Sequence, residues 1–161
     1  MRRTLLPVLL LSALAMTGCG NATTTEVRGS VGVGVDAEGR VIAVVVTCGA
    51  DLDEVTLYGG REGLEGDEPN PILATGTVDP TGQPIVTAFL TPTSGGGQLR
   101  LGDLDRTGLH ILSAQASESD TESGQVTFRA DDLDALEADQ VVTGDGTTST
   151  PQQLRAGCDS D

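Results

Sequence analysis

Residues 31–46 place the tightest limit on how this chain can fold. Val31, Val33 and Val35 alternate with Gly32 and Gly34, Asp36-Ala37-Glu38-Gly39 supplies turn residues, and Val41 to Val46 is an unbroken apolar run. Alternation with period two marks a strand with one apolar face, and two such runs around a glycine-containing turn mark a β-hairpin. The second run is apolar on both faces and belongs in the middle of a sheet. The first has one valine face and one glycine face.

Further runs lie at Glu54 to Tyr58, Ile72 to Val78, Ile85 to Leu90, Leu99 to Leu101, Leu109 to Ala116 and Gln125 to Ala130. Each is rich in Val, Ile, Thr or Leu and bounded by Gly, Pro, Asp or Ser. No sustained helical periodicity separates them, which excludes a parallel α/β fold and predicts a mostly β chain. The expected architecture is an antiparallel β-sandwich, immunoglobulin-like or similar. An immunoglobulin label is imperfect, because the buried tryptophan of that fold is missing.

Helix is expected only near the C-terminus, as one or two short turns. Asp131 and Asp132 precede Leu133 and Leu136 at helical spacing. Thr150, Pro151 and Gln153 form a capping box with proline at the first helical position, which predicts a helix over Pro151 to Ala156 with Gly157 as its stop. Gly59 to Pro71 and Thr91 to Gly97 read as long polar loops, the expected mobile parts. Asp-Leu-Asp recurs at 51–53, 103–105 and 132–134, but at unequal intervals, so no repeat architecture follows.

The first residues carry an address. Arg2 and Arg3 precede an apolar stretch from Leu5 to Met16 that is too short to span a bilayer, which needs about 20 apolar residues, and has the length of a signal-peptide core. Met16-Thr17-Gly18-Cys19 then resembles a lipobox, with methionine where leucine is commoner. That resemblance implies cleavage before Cys19 and a diacylglyceryl thioether on its sulfur. The expected organisation is a lipoprotein signal peptide at 1–18, a lipidated flexible tether at 19–26 and a single β-sandwich domain at 27–161. Ordinary secretion, with cleavage after Ala13-Leu14-Ala15, is the competing reading.

Of the three cysteines, Cys48 and Cys158 remain once Cys19 is assigned to lipid. On the oxidising side of a membrane they are expected to form a disulfide. Loss of Arg2 and Arg3 from nine basic residues, against 24 acidic ones, gives the exported chain a formal charge of −17. Phosphate backbones and anionic headgroups repel such a surface, so nucleic acid is excluded as a partner and membrane attachment falls to the lipid on Cys19. Tyr58, Phe89 and Phe128 are the only aromatic residues. Each lies in a strand pattern and is read as core, which disfavours binding by aromatic stacking.

Few residue sets can carry chemistry. Gly32-Val33-Gly34-Val35-Asp36-Ala37 has the letters of a dinucleotide fingerprint but lies within a strand, with no helix following. A P-loop is impossible without lysine. His110, the single histidine, sits between Leu109 and Ile111 and is read as a sheet residue; a hydrolase built on it would need distant partners. Asp103, Asp105 and Thr107, followed by Gly108, match the first half of a calcium loop. The closing ligand at the twelfth position is Ala114, so a turn into the next strand is the better reading and the three are weak metal candidates only.

Two stretches carry a wider resemblance. Gly32 to Gly39 leading into Val44-Val45-Val46-Thr47-Cys48 and Val55-Thr56-Leu57-Tyr58, together with Gln125 to Leu136 and then Gln140-Val141, resemble an uncharacterised group of small secreted or lipid-anchored proteins of actinobacteria. Members often carry tyrosine and tryptophan where this chain has His110. The resemblance implies a sandwich fold and brings no activity with it.

The expectation is therefore a lipid-anchored, non-catalytic binding or interaction module on the outer face of the cell membrane. It is read as a monomer without a cofactor, whose partner is an envelope protein or small ligand. The alternatives are a calcium-stabilised binding protein and, more weakly, a small hydrolase.

Overall fold

A computed structural model describes residues 25–160; the expected signal segment, Cys19 and most of the expected tether lie outside the described residues. The chain opens with β1 (Glu26–Val27), β2 (Ser30–Val35) and β3 (Val41–Val46). β2 and β3 pair antiparallel from Ser30↔Val46 to Val35↔Val41. Their turn is closed by Asp36, whose Oδ1 accepts the backbone N–H groups of Glu38 at 3.1 Å and Arg40 at 2.9 Å. Gly39 supplies the left-handed φ of 75° that the turn requires.

Then follow β4 (Glu54–Gly59), β5 (Ile72–Thr77), β6 (Ile85–Phe89), β7 (Thr91–Pro92), β8 (His110–Gln115), β9 (Thr121–Glu122) and β10 (Val126–Phe128). The chain ends with α1 (Ala130–Asp134), β11 (Val141–Val142), β12 (Thr148–Ser149) and α2 (Pro151–Ala156). Two sheets result. The larger has the order β1-β9-β8-β4-β5-β7, with β10 also on β8, and the smaller has the order β12-β11-β2-β3-β6. Their pairs are antiparallel except β1 with β9, which is parallel.

The sheets share one core. Val31 and Val33 of β2 and Val45 of β3 pack in the same buried cluster as Val55 and Leu57 of β4, Leu112 of β8 and Phe128 of β10. Each such side chain contributes roughly 1.5–3 kcal/mol by leaving water. Corners are made by strands that pass from one sheet to the other. β6 pairs with β3 and β7 with β5, and only Leu90, fully buried, separates them. β1 and β2 make the opposite crossing through Gly29, whose φ is 77°.

β3 is central, as its two apolar faces require. Val44 and Val46 point away from the shared core and are still buried, because the C-terminal segment folds over them. α2 packs on β2 and β3. A Cβ on Gly32 would lie 2.6 Å from Val141 Cγ2 and 3.4 Å from Leu154 Cδ2. The glycine face of β2 is thus the seat of this cover. The expected disulfide ties it down, linking Cys48, just past β3, to Cys158, just past α2, with 5.3 Å between Cα atoms.

α2 covers the expected residues, and the Thr150 side chain accepts the Gln153 N–H. Gly157 does not stop the chain in a left-handed conformation; its φ is −66° and a 3₁₀ turn continues through Gly157–Ser160. Leu99 to Leu101 is not a strand. Arg100 makes one isolated bridge to Arg40, and Leu101–Asp103 turns into 3₁₀ helix because Asp103 Oδ2 accepts the Arg100 N–H at 2.9 Å. Thr91 and Pro92, expected in a loop, form β7.

Two outcomes are expected. Gly32→Ala forces a methyl group into Val141 and should destabilise by about 1–3 kcal/mol in urea unfolding, whereas Gly124→Ala, which meets nothing within 4 Å, should change stability by less than about 0.5 kcal/mol. Replacing Cys48 and Cys158 together by serine opens a loop of 110 residues and should cost about 2–5 kcal/mol, with protease cleavage appearing first between residues 137 and 160.

Candidate functional site

His110 opens β8, and the parity of that strand decides which way it faces. Leu112 and Ala114 share its parity and lie in the core, so His110 points inward, opposite Phe128 of β10 and Gly59 of β4. It is only 2% exposed. Its ring centroid lies 5.4 Å from that of Phe128, tilted by 38°.

The two ring nitrogens differ. Nε2 lies 3.0 Å from the backbone carbonyl oxygen of Asp105. A carbonyl only accepts, so Nε2 is the donor in this contact. Nδ1 is sealed from solvent and has no hydrogen-bond partner among the described residues. Leaving a buried polar atom unmatched costs about 1–3 kcal/mol. The imidazole is held by a main-chain carbonyl, and among the described residues no hydroxyl bonds to it. The pairing of nucleophile, base and carboxylate that a hydrolase needs is not assembled at this residue.

The segment that reaches His110 runs across one end of the two sheets. Leu99 donates its N–H to the Leu90 carbonyl at 2.7 Å and accepts from Val41 at 2.9 Å. The 3₁₀ turn comes next, then Asp105, whose Oδ1 accepts both the backbone N–H and the hydroxyl of Thr107 at 2.9 Å. These bonds, the backbone one foremost, hold the Asp105 carboxyl below the ordinary carboxylate range. Arg129 Nη1 donates to the Thr107 carbonyl at 2.6 Å.

Asp103, Asp105 and Thr107 therefore serve as turn residues. Asp103 caps its own turn, Asp105 closes the next, and the Thr107 hydroxyl is a donor. No group of three or more His, Cys, Asp or Glu side chains able to hold a metal ion occurs among the described residues.

A cavity of about 530 Å³ opens where these pieces meet. Leu73, Pro92, Leu99 and Leu104 line its apolar side, Thr93, Ser94, Gln98, Asp103, Asp105 and His110 its polar side, and Gly95 and Gly96 complete the lining. Its size falls within the range of small-molecule sites. A second cleft, of about 590 Å³, lies on the outer side of β3 over Ile42 and Val44, with Glu137 and Asp139 at its rim.

Phe128 is core, as its pattern required. Phe89 is not: it is 42% exposed, because β6 is an edge strand whose outward face carries Thr87 and Phe89, and the Arg40 guanidinium stacks 4.6 Å above its ring. Tyr58, half-buried, lies on the outward face of β4.

The His110 cavity has no signature in the spacing of residues, since its walls come from β5, β7, the 99–105 segment and β8. The one legible signal was parity, which places His110 with Leu112 and Ala114. Because the oxygens of Asp103 and Asp105 already close local turns, calcium up to about 1 mM, the weak end of extracellular calcium modules, should leave the melting temperature unchanged. A rise on calcium addition, abolished by Asp105→Asn, would reverse the assignment of these residues to turns. Comparison of the chain with protein-family models, with curated proteins and with solved structures finds no match.

Proposed function

We propose that this chain is a lipid-anchored, non-catalytic binding module on the outer face of the cell membrane. The observation that carries the reading is the leader that ends in Met16-Thr17-Gly18-Cys19. The resemblance to small secreted or lipid-anchored proteins of actinobacteria supports it. So does the Cys48–Cys158 disulfide, since such bonds persist in oxidising compartments.

The physics of attachment follows from charge and reach. With a formal charge of −17 after removal of the leader, the domain is repelled by anionic headgroups, so the hold on the bilayer is hydrophobic. Two acyl chains on one residue suffice for stable anchoring where one would be marginal. The first strand starts at Glu26, seven positions after Cys19. Seven residues reach at most about 25 Å when fully extended, which keeps the domain close to the headgroups. Among the described residues no helix is long and apolar enough to cross a membrane.

Binding, rather than turnover, is supported by the site. The single histidine faces a main-chain carbonyl, and the cavity beside it combines leucine side chains with several polar groups. Its volume is that of a small-molecule site.

Cys19→Ser should move the protein from the membrane fraction to the soluble fraction. Mass spectrometry of the native exported protein should show an N-terminus at Cys19 carrying acyl mass. Unchanged partitioning of the variant, or a native N-terminus with a bare thiol, would refute the anchor.

A further inference from the structure

We propose that β6 is the docking edge for a second copy of this chain, which adds its own β6 antiparallel and joins the two smaller sheets into one. The exported chain is then a two-fold dimer rather than the monomer expected from the sequence. This pairing goes beyond the binding-module reading and does not depend on the anchor at Cys19.

The ladder of the smaller sheet stops at β6. Among the described residues β6 pairs only with β3, and Thr47, just past β3, donates its N–H to the Pro84 carbonyl at 3.2 Å. Hydrogen-bonded pairs alternate along an antiparallel ladder, so Val86 and Ala88 also bond to β3, and Ile85, Thr87 and Phe89 turn their backbone groups to the open side. One end of that side is closed, since a Cβ on Gly76 of β5 would lie 2.7 Å from the Phe89 carbonyl oxygen. Toward Ile85 the strands part, because β7 holds β5 only through Ala74↔Pro92 and Thr75↔Thr91. A cavity of about 520 Å³ whose lining includes Gly76, Thr77, Thr87 and Phe89 opens there.

Native edge strands are normally blunted by charge, proline or a bulge. β6 has none of these. Ile85-Val86-Thr87-Ala88-Phe89 is uncharged, its register with β3 is unbroken, and Pro84 and Pro92 stand outside its ends. Its outward face carries Ile85, Thr87 and Phe89, the last 42% exposed.

Charge and symmetry select a second copy as the occupant. A formal charge of −17 holds copies of this chain apart over most of their surface. No charged residue occurs between Asp79 and Arg100, so β6 is where two such molecules meet without opposing like charges. Arg40, stacked on Phe89, is paired with Asp36. About Thr87 the outward row is its own complement. Antiparallel pairing sets Thr87 opposite Thr87 of the second copy and Phe89 opposite its Ile85, an aromatic on a β-branched residue, which is a favourable cross-strand pair. The assembly closes at two copies, because the other edge of the smaller sheet, β12, has only two residues and an interface shared about a two-fold axis leaves no free β6.

The mature protein, purified in a neutral detergent, should show by light scattering twice the protein mass of one chain. Thr87→Lys places like charges opposite each other on the axis and should return the mass to one chain. Thr127→Lys, at an exposed residue of β10 in the other sheet, should leave it at two, which separates strand pairing from two chains sharing a micelle. Circular dichroism should show the strand content of the unaltered protein in both variants. Thr87→Cys brings two thiols to the axis, where paired Cα atoms stand about 5.5 Å apart, within the reach of a disulfide. Mild oxidation should link Thr87→Cys into covalent dimers on a non-reducing gel and leave Thr127→Cys as single chains.

A mass of one chain up to about 1 mM, the weak end of the affinity scale, would overturn the pairing. So would a mass of two that survives Thr87→Lys, a series of larger species in place of a dimer, or a Thr87→Cys protein that links no faster than Thr127→Cys. Should Thr87→Lys fail to fold, the mass of the unaltered protein and the Thr87→Cys link decide. None of these results touches the membrane anchor, which is read separately from the partitioning of Cys19→Ser.

Discussion

A strand buried on both faces must be covered twice, and β3 imposes that requirement on the whole chain. Ala43 and Val45 on one side, Val44 and Val46 on the other, are all withdrawn from water. The inner cover is the seven-stranded sheet. Among the described residues no further sheet is available for the outer face, so the last residues of the chain supply it, with Val141 over Gly32 and Gly34 and α2 beside them. A segment this short has little core of its own and its helix is only six residues long, below the length at which an isolated helix holds together in water. The disulfide to Cys48 and the absent side chains of β2 compensate, the first by limiting the freedom of the unfolded chain and the second by permitting close approach.

The same economy of elements produces the cavity. Because one continuous strand serves as β6 in the smaller sheet and β7 in the larger, the chain leaves Pro92 at the rim of both sheets and must return across their end to start β8. The backbone of Leu99 is stitched into this crossing by bonds to Leu90 and Val41, and Asp103 and Asp105 shape the two turns beyond it with their own carboxylates. His110 is the first residue of β8 that can face inward beyond this crossing. It meets the backbone of Asp105 at one nitrogen and has no partner for the other among the described residues. The orphaned atom is a consequence of where the crossing ends, not of a motif.

How much of this was legible depends on how many residues each element uses to write its pattern. The hairpin of β2 and β3 and the strands β4, β5, β6 and β8 have five or six residues, long enough for alternation to show. α2 was legible because Thr150, Pro151 and Gln153 are chemically specific to a helix start. β1, β7, β9, β11 and β12 have two residues each, and a pair has no period. They exist because a neighbour offers unpaired backbone groups, which is tertiary information. Phe89 departs from expectation for a related reason: alternation places it on a face but does not say whether that face is the edge of a sheet. The Asp-Leu-Asp tripeptides carried more than their spacing allowed. In each, the middle leucine is buried, while Asp53 accepts from Ser117, Asp103 from Arg100 and Asp132 from Arg129, so the tripeptide pins a turn to the core.

That use of aspartate changes the meaning of the chain's acidity. Asp105 and Asp145 are held below the ordinary carboxylate range by donors from their own turns, and Asp145, with the hydroxyls of Thr143 and Thr147 as the largest causes, is lowered to about 2. Asp53 is lowered chiefly by the hydroxyl of Ser117. A carboxylate whose pKa falls on folding adds stability above its unfolded value near 3.8, and that contribution is lost as pH drops through the folded value. These acids therefore favour the fold at neutral pH despite their mutual repulsion, because Asp105 and Asp145 are matched to donors two residues away and Asp53 to Ser117 beyond the end of the neighbouring strand. An excess of carboxylates distributed in this way is a set of turn locks with a repulsive outer field. At the His110 cavity, Asp103 and Asp105 bring that field up against the apolar surface of Leu73, Leu99 and Leu104.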